Sequence, residues 1–164
     1  MIPLKFQKYN PVIFSKGKRG LIYLFDKRNK KYALKIKNPK SKANNRILNE
    51  GKFLELLNKK GMGPELFEFS DEFVCYEFVD GLLLKDFLKL KVNHSKVLLD
   101  ILKQCEILDS LNINKEEMHK PLKNIIISKN KAVLIDFERC HFSSRPKNVN
   151  QFKEFLRRIK RKEL

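Results

Sequence analysis

With 164 residues, the chain is long enough to bury a proper core, either as one domain or as two small lobes that share a cleft. Its 42% apolar and 34% charged residues exclude a disordered chain. A net charge of +17 favours polyanionic partners such as phosphates, nucleic acid or acidic protein surfaces, but a lysine-rich surface is equally typical of thermophilic adaptation or genomic composition bias.

The cysteines and the apolar segments indicate a protein inside the cell. Cys75, Cys105 and Cys140 are odd in number and widely spaced, with no C-x-x-C motif and no histidine at metal-ligand spacing, which predicts reduced thiols. The opening "MIPLKFQKYN" lacks the apolar core of a signal peptide, and no apolar run approaches the roughly 20 residues that span a bilayer. We therefore expect a cytoplasmic protein with no membrane partner.

The first half of the chain has patterns typical of strands. Residues 12–37 alternate apolar and polar side chains, and the turns "SKGKRG" and "DKRNK" predict hairpins. Residues 41–60 follow with helical spacing. The segment "EFVCYEFV", residues 72–79, predicts another strand, closed by a turn at Asp80 and Gly81.

The second half is mainly helical. Apolar residues share one face of the segment 95–111 at helical spacing: Val97, Ile101, Cys105 and Leu108. This pattern predicts a buried helix with Ser95 as its N-cap. The segments "NIII" and "AVLI" predict a short strand pair, and a basic helix begins near residue 148. A strand-rich half followed by a helical half with one hairpin indicates the α+β class.

Two charged residues of the first half are predicted to form a buried pair. In "KYALKIK", Ala33 and Lys35 share one strand face, and a small residue beside a lysine leaves room for a flat ligand. In the helix that follows, Glu50 lies within the apolar stripe, where an unpaired carboxylate is rarely tolerated. Lys35 is its natural partner. The alternatives are a solvent-facing Lys35 and a Glu50 at the edge of the stripe that reaches water.

The segment "KAVLIDFERC", residues 131–140, is an apolar strand that ends on Asp136. A carboxylate at a strand end can hold a hard cation, and Mg²⁺ takes one or two oxygen ligands from a protein and the rest from water and phosphates. Asn124, just before "IIIS", offers a second oxygen across the predicted hairpin. A lysine, a paired glutamate, an asparagine and an aspartate together suit the phosphates of a nucleotide with its metal.

These motifs follow one another in the order of protein kinases over roughly residues 12–140, and the chain resembles a compact, atypical member of the protein kinase-like superfamily. It is similar to the small archaeal kinases of the RIO type, to the archaeal kinase of tRNA threonylcarbamoyl-adenosine synthesis, and to archaeal predicted Ser/Thr kinases whose metal motif is DFE. The resemblance implies ATP and Mg²⁺ as cofactors. It also implies a minimal two-lobed fold in one catalytic domain, with a strand-rich N-lobe over residues 1–76 and a hinge with a reduced helical C-lobe over residues 77–164.

The resemblance assigns nucleotide-binding positions to several segments. The assigned nucleotide-binding residues are Ser15, Gly17, Gly20, Ile22, Ala33, Lys35, Tyr76, Glu77, Phe78, Val79 and Ile126. In "SKGKRGLI", Gly17 and Gly20 match the second and third glycines of the glycine-rich loop, and Ser15 stands in place of the first. In "CYEFVDG", backbone groups of residues 77–79 would meet adenine, with Tyr76 as the gatekeeper.

The resemblance also assigns the phosphate and metal ligands. "YALK" matches V-A-I-K, so Lys35 would hold the α- and β-phosphates with Glu50 as its helix partner. "IDFE" matches D-F-G, so Asp136 would be the main Mg²⁺ ligand. "KNIII" would contribute Asn124 to the metal and Ile126 to the floor under the adenine.

The catalytic loop and the metal motif depart from the kinase pattern. In H-R-D-L-x-x-x-N the catalytic Asp stands five places before the Asn, where this chain has His119. Glu117, seven places before Asn124, is favoured as the base or hydroxyl orienter, if the loop carries two extra residues. His119 is the second choice, and nucleotide binding without catalysis is the third. Glu138 replaces the glycine of D-F-G, which removes the backbone freedom of glycine and offers a charge to a second cation or to a lysine.

The few residues after Glu138 contain no A-P-E motif and no length for an activation segment, which places a protein acceptor in doubt more than the kinase activity. We expect a Mg-ATP-dependent atypical kinase that phosphorylates a Ser or Thr of a protein substrate or of itself, with Ser143 and Ser144 as candidates. The alternative is a nucleotide-sensing pseudokinase or ATPase switch bound to RNA or an assembly complex. The basic segment 148–164 is either a closing helix with a solvated face or a surface for RNA phosphates.

Overall fold

The computed structural model of the chain describes residues 1–17, 20–38 and 45–162. Residues 18–19 of the predicted first turn and residues 41–44 of the predicted first helix lie outside the described residues. The chain divides into two compact units, Met1–Phe78 and Val79–Leu164. Their assignment as the two lobes of one catalytic domain stays a prediction. Among the described residues, none of the helices combines the length and the apolar character that crossing a bilayer requires.

The first unit is a five-stranded antiparallel sheet with one long helix. In chain order the elements are α1 (Leu4–Gln7), β1 (Val12–Lys16), β2 (Gly20–Lys27), β3 (Lys30–Lys37), α2 (Arg46–Asn58), β4 (Leu66–Phe69) and β5 (Phe73–Glu77). The strands lie in the order β1-β2-β3-β5-β4. The hairpins predicted in residues 12–37 and the strand predicted within residues 72–79 are confirmed.

The two faces of β3 have different roles. Leu34 and Ile36 point into an aromatic core, which Phe6 of α1 closes. On the other side, α2 packs against the sheet and crosses β4 at Gly51, where a Cβ would overlap the Phe69 side chain. This close approach brings the polar face of β3, with its buried Ala33 and Lys35, toward the helix.

The described residues of the second unit form three α-helices, one short 3₁₀ helix (Pro121–Lys123) and two small sheets. In chain order the elements are β6 (Leu82–Leu83), α3 (Leu84–Phe87), α4 (Ser95–Ser110), β7 (Ile113–Asn114), β8 (Ile125–Ser128), β9 (Lys131–Leu134), β10 (His141–Phe142) and α5 (Asn148–Lys162). Strands β6, β8 and β9 form one antiparallel sheet, and β7 pairs with β10. The predicted helix 95–111, the β8–β9 hairpin and the C-terminal helix are confirmed.

The predicted cap of α4 is wrong. Ser95 is the first helical residue, His94 occupies the N-cap position, and no side chain of the cap residue bonds to the helix. Asn93 Oδ1 accepts the Ser95 N–H at 2.8 Å instead, so the residue two places earlier satisfies this donor. The predicted apolar face of α4 is buried: Val97, Ile101, Cys105 and Leu108.

All three cysteines are buried thiols and none forms a disulfide, which agrees with the predicted reduced state. Burial raises the pKa of Cys75 and that of Cys105 to about 12. The reactive thiolate is therefore scarce at neutral pH, and both thiols serve as small apolar side chains.

Candidate functional site

A buried ion pair joins β3 to α2 in the first unit. Lys35 Nζ donates to Glu50 Oε2 at 2.6 Å, and the two side chains are 10% and 2% exposed. The predicted pair is therefore present. Both alternatives, a solvent-facing Lys35 and a Glu50 that reaches water, are wrong. Because removal of either partner would take the opposite charge away from a buried group, each residue stabilises the position of the other.

The end of the β1–β2 hairpin lies directly beside Lys35. The Gly17 N–H donates to the Gly20 carbonyl at 2.9 Å. A Cβ on Gly20 would lie 3.2 Å from Lys35 Cε, so the glycine lets the strand pass close to the lysine side chain. Ile22 is paired with Lys35 on one side and with Ser15 on the other. The sheet thus brings together the described positions of the predicted glycine-rich loop and the predicted phosphate-binding lysine.

The predicted hinge begins at the end of β5. Tyr76 is paired with Ala33 of β3, which places the predicted gatekeeper beside the small residue. The Glu77 N–H donates to the Glu65 carbonyl and the Phe78 N–H to the Lys31 carbonyl, each at 2.8 Å. These two N–H groups are therefore already used within the protein.

The β8–β9 hairpin of the second unit brings Asn124 beside the metal motif. The Ile135 N–H donates to the Asn124 carbonyl at 2.9 Å, which extends the ladder by one residue. Asp136 follows with a φ of 61°, in the left-handed region that Asn and Asp tolerate best and that is common at functional sites. One carboxylate oxygen of Asp136 and one of Glu138 lie within 4.8 Å of each other. Two acidic side chains therefore meet at the end of β9, and Glu138 is buried.

Glu117 is held by hydrogen bonds to both of its carboxylate oxygens. Oε1 accepts from Arg139 Nη1 at 2.5 Å, and Oε2 accepts from Asn124 Nδ2 at 3.2 Å. Because the amide nitrogen of Asn124 is used here, its Oδ1 is the atom that can face a metal. Glu117 thus lies next to Asn124 in spite of the two extra residues in the loop. His119 is tied at its backbone carbonyl, which accepts a hydrogen bond from Arg158.

Side chains of α5 form hydrogen bonds with the loop that carries Glu117 and His119. Three of them bind its backbone: Asn148, Gln151 and Arg158. Asn148 Oδ1 accepts the Lys115 N–H at 2.8 Å, and Gln151 Oε1 accepts the Met118 N–H at 3.0 Å. One cationic side chain of the basic helix, Arg158, therefore has a structural role.

Lys115 is a site residue that none of the sequence motifs singles out. This residue is 2% exposed, and its Nζ donates to the Asp136 carbonyl at 3.2 Å and lies 5.1 Å from the centre of the Phe137 ring. A signal was present, because a period of two after the buried Ile113 places Lys115 on the same side of the chain. Lone lysines in polar segments are usually exposed, so this pattern alone did not single it out.

Neither the protein-family models nor the curated proteins include a significant match to the sequence. Among solved structures, two crystal structures of the Rio2 kinase from Chaetomium thermophilum match the chain with a TM-score of 0.70 and 16% identity. The matches cover 94% of this chain and 56% and 57% of the kinase. The chain has a RIO kinase-like fold. One of the two structures is a complex of that kinase with ADP, Mg²⁺ and phosphoaspartate.

The RIO kinase-like fold confirms the predicted α+β class with a strand-rich N-lobe and a reduced helical C-lobe. The chain spans little more than half the length of the Rio2 kinase chains. The first unit carries the predicted residues Ser15, Gly17, Gly20, Ile22, Ala33, Lys35, Glu50, Tyr76, Glu77 and Phe78. The second unit carries Val79, Glu117, Asn124, Ile126 and Asp136.

Proposed function

We propose that the chain is an atypical kinase that uses Mg-ATP to phosphorylate a Ser or Thr hydroxyl. The buried Lys35–Glu50 pair carries this proposal, at 2.6 Å and beside the glycine that lets β2 pass close to the lysine. A buried ion pair contributes little net stability, because the desolvation of two charges offsets their attraction. Its presence on a kinase-like fold is better explained by a ligand with phosphates, for which an oriented ammonium is suited.

The proposed roles follow from the chemistry of each group. Lys35 holds the α- and β-phosphates, and Glu50 keeps the ammonium oriented. Asn124 and Asp136 form an oxygen donor set on one hairpin, which suits Mg²⁺ because this ion prefers a few protein oxygens and keeps phosphates and water as its other ligands. The metal, when bound, neutralises charge on the phosphates.

The adenine is proposed to lie against the hinge segment and its neighbours. Tyr76 and Ala33 are paired in the sheet, and residues 77–79 offer backbone groups next to them. Ile126 is half-buried on β8, paired with Val133, and provides an apolar surface on the second unit. Tyr76 and Ala33 thus supply an apolar surface beside polar backbone atoms on the first unit, as nucleotide sites require.

Glu117 is proposed to orient the acceptor hydroxyl and to receive its proton as the hydroxyl oxygen bonds to the γ-phosphorus and the bond to ADP breaks. A carboxylate has about four lone-pair positions, so Glu117 can accept this bond while Asn124 and Arg139 hold it. Positioning and charge stabilisation supply most of the rate enhancement. For phosphorylation of the chain itself, exposed Ser144 is better placed than half-buried Ser143, whose Oγ accepts the Arg145 N–H at 3.2 Å.

The metal role of Asp136 can be tested by calorimetric titration of ATP with Mg²⁺ and with EDTA. We expect Asp136→Asn to weaken ATP binding in Mg²⁺ by about tenfold or more, since a neutral amide is a poorer ligand for Mg²⁺ than a carboxylate. Binding in EDTA should change little. Equal affinities of the native chain and the variant in Mg²⁺ would contradict the assignment, and Glu106→Gln at an exposed position of α4 provides the control for a lost charge.

A second candidate function is a nucleotide-sensing pseudokinase or ATPase switch. The observation that favours it is that both carboxylate oxygens of Glu117 already accept hydrogen bonds, from Asn124 and from Arg139. If these bonds persist with nucleotide bound, the chain binds ATP and changes its affinity for a partner without transferring phosphate. An RNA or an assembly complex would then be that partner.

RNA binding is proposed to involve the exposed cations of α5. These are Lys153, Arg157, Lys160 and Arg161, whereas Arg158 is bound to the His119 carbonyl. Truncation of the helix would also remove that brace, so substitution is the sharper test. We expect the triple Gln variant of Arg157, Lys160 and Arg161 to weaken RNA binding. The slope of the logarithm of the RNA-binding constant against the logarithm of the salt concentration should become shallower by about one unit per lost phosphate contact. An equal loss in the triple Gln variant of Lys103, Lys129 and Lys131 would show that only net charge matters.

A further inference from the structure

Among the described residues of the second unit, Lys115 is the one buried cationic residue and is only 2% exposed. Transfer of an ammonium group from water into a protein interior costs several kcal/mol after relaxation, so the chain must gain something from its position. Its Nζ donates to the Asp136 carbonyl at 3.2 Å and lies 5.1 Å from the centre of the Phe137 ring. The lysine therefore contacts two consecutive residues of the metal motif.

The backbone of Lys115 is fixed from the opposite side. Its N–H donates to Asn148 Oδ1 at 2.8 Å, and Asn148 is fully buried at the start of α5. Asp109 of α4 in turn accepts from Asn148 Nδ2 at 2.7 Å and from the Val149 N–H at 3.2 Å. A chain of hydrogen bonds thus runs from two helices to the backbone of Lys115, so the base of its side chain is held in place before any ligand binds.

The contacted segment needs such support. Asp136 is in the left-handed conformation, with a φ of 61°, and its carboxylate lies near that of Glu138. The positive φ raises the energy of this conformation relative to alternatives through backbone strain. The Lys115 donor stabilises this orientation of the Asp136 carbonyl, and the ring of Phe137, which is fully buried, favours the same position of the ammonium.

We propose that Lys115 is a positioning residue that holds Asp136 and Phe137 in one conformation, with the Asp136 carboxylate ready to bind a divalent cation. The Mg²⁺ aspect of this inference rests on the proposed function, whereas the conformational aspect does not. A lysine in this role would keep the metal motif permanently in its binding conformation, so the chain would not be regulated by movement of this segment.

The test uses Lys115→Met, which keeps the length of the side chain and removes the donor, and Lys115→Arg, which keeps a cationic donor. The control is Lys103→Met at an exposed position of α4. Calorimetric titration of ATP at increasing Mg²⁺ gives the half-saturating Mg²⁺ concentration. We expect Lys115→Met to raise it by about 10- to 100-fold, as for other residues that orient a metal ligand, with Lys115→Arg in between and Lys103→Met unchanged.

A second readout requires no nucleotide. With fluorinated phenylalanine incorporated, the ¹⁹F resonance of Phe137, assigned through Phe137→Leu, is expected to be single in the native chain and to split or broaden in Lys115→Met. Unchanged Mg²⁺ dependence together with an unchanged resonance would overturn the proposal.

If the native chain fails to bind Mg-ATP, the proposed function fails, and the ¹⁹F resonance of Phe137 alone tests the role of Lys115. An unchanged resonance in Lys115→Met then refutes this role, and a split resonance supports it. If Lys115→Met does not fold, the comparison of Lys115→Arg with the native chain serves the same purpose.

Discussion

Lys35→Met is expected to lower the free energy of unfolding by about 3–5 kcal/mol, the range for a broken buried ion pair, and to abolish phosphoryl transfer. The stability loss arises because Glu50, with a side chain only 2% exposed, would lose the opposite charge that lies 2.6 Å away in this buried position. Transfer would be lost because methionine cannot bind phosphate oxygens. Urea denaturation followed by circular dichroism measures the first effect, and transfer from labelled ATP measures the second.

The double variant Lys35→Met with Glu50→Leu separates the two effects. It should return the free energy of unfolding to within about 1–2 kcal/mol of native, because apolar residues of similar volume often replace a buried pair without loss. Phosphoryl transfer should stay absent. A double variant as unstable as the single one would show that Glu50 is not the source of the loss. Lys30→Met is the matched control: Lys30 also donates to a glutamate, Glu77, which raises the pKa of the lysine, but this pair is exposed and its loss should not change stability measurably.

The Lys35–Glu50 pair was predictable because both of its signals are local. Alternation along β3 fixes the face on which Lys35 lies, and the helical period fixes the position of Glu50 within the apolar stripe. The Glu50 carboxylate inside this stripe is stable only with a cationic partner, and Lys35 lies on the preceding strand. The β8–β9 hairpin with Asn124 and Asp136 follows the same logic, since two short apolar segments flank a turn.

The other features of the fold and the site were not predictable, because they lie in very short elements or depend on contacts between residues far apart in the sequence. Phe6 lies on a helix of four residues, and strands β6, β7 and β10 have two residues each, which is too short for any period to be visible. The bond between Arg139 and Glu117 joins residues 22 positions apart. Lys115 has ordinary polar neighbours in sequence, and only the fold places its ammonium at the Asp136 carbonyl.

Glu117→Gln is expected to reduce phosphoryl transfer by about 10²- to 10⁴-fold, the usual contribution of a general base, with ATP binding retained. Glutamine keeps the size of the side chain but has one acceptor oxygen. Since Arg139 can only donate, that oxygen should turn toward Arg139, and the new amide N–H would then face Asn124. Asn124 would have to rotate its own amide, which would take Oδ1 away from a metal.

The half-saturating Mg²⁺ concentration therefore has to be measured alongside transfer in Glu117→Gln. A loss of transfer with unchanged Mg²⁺ dependence assigns the effect to the missing base, whereas a parallel rise in the Mg²⁺ requirement assigns it to Asn124. Glu116→Gln is the matched control, because Glu116 also has a positive φ but its carboxylate accepts from Asn114 and lies near His141 instead.

Transfer by Glu117→Gln at the native rate would exclude Glu117 as the base and make His119 the next residue to substitute. Nucleotide binding without transfer, in the native chain and in both variants, would favour the nucleotide-sensing module, in which Glu117 serves only to hold Asn124 and Arg139.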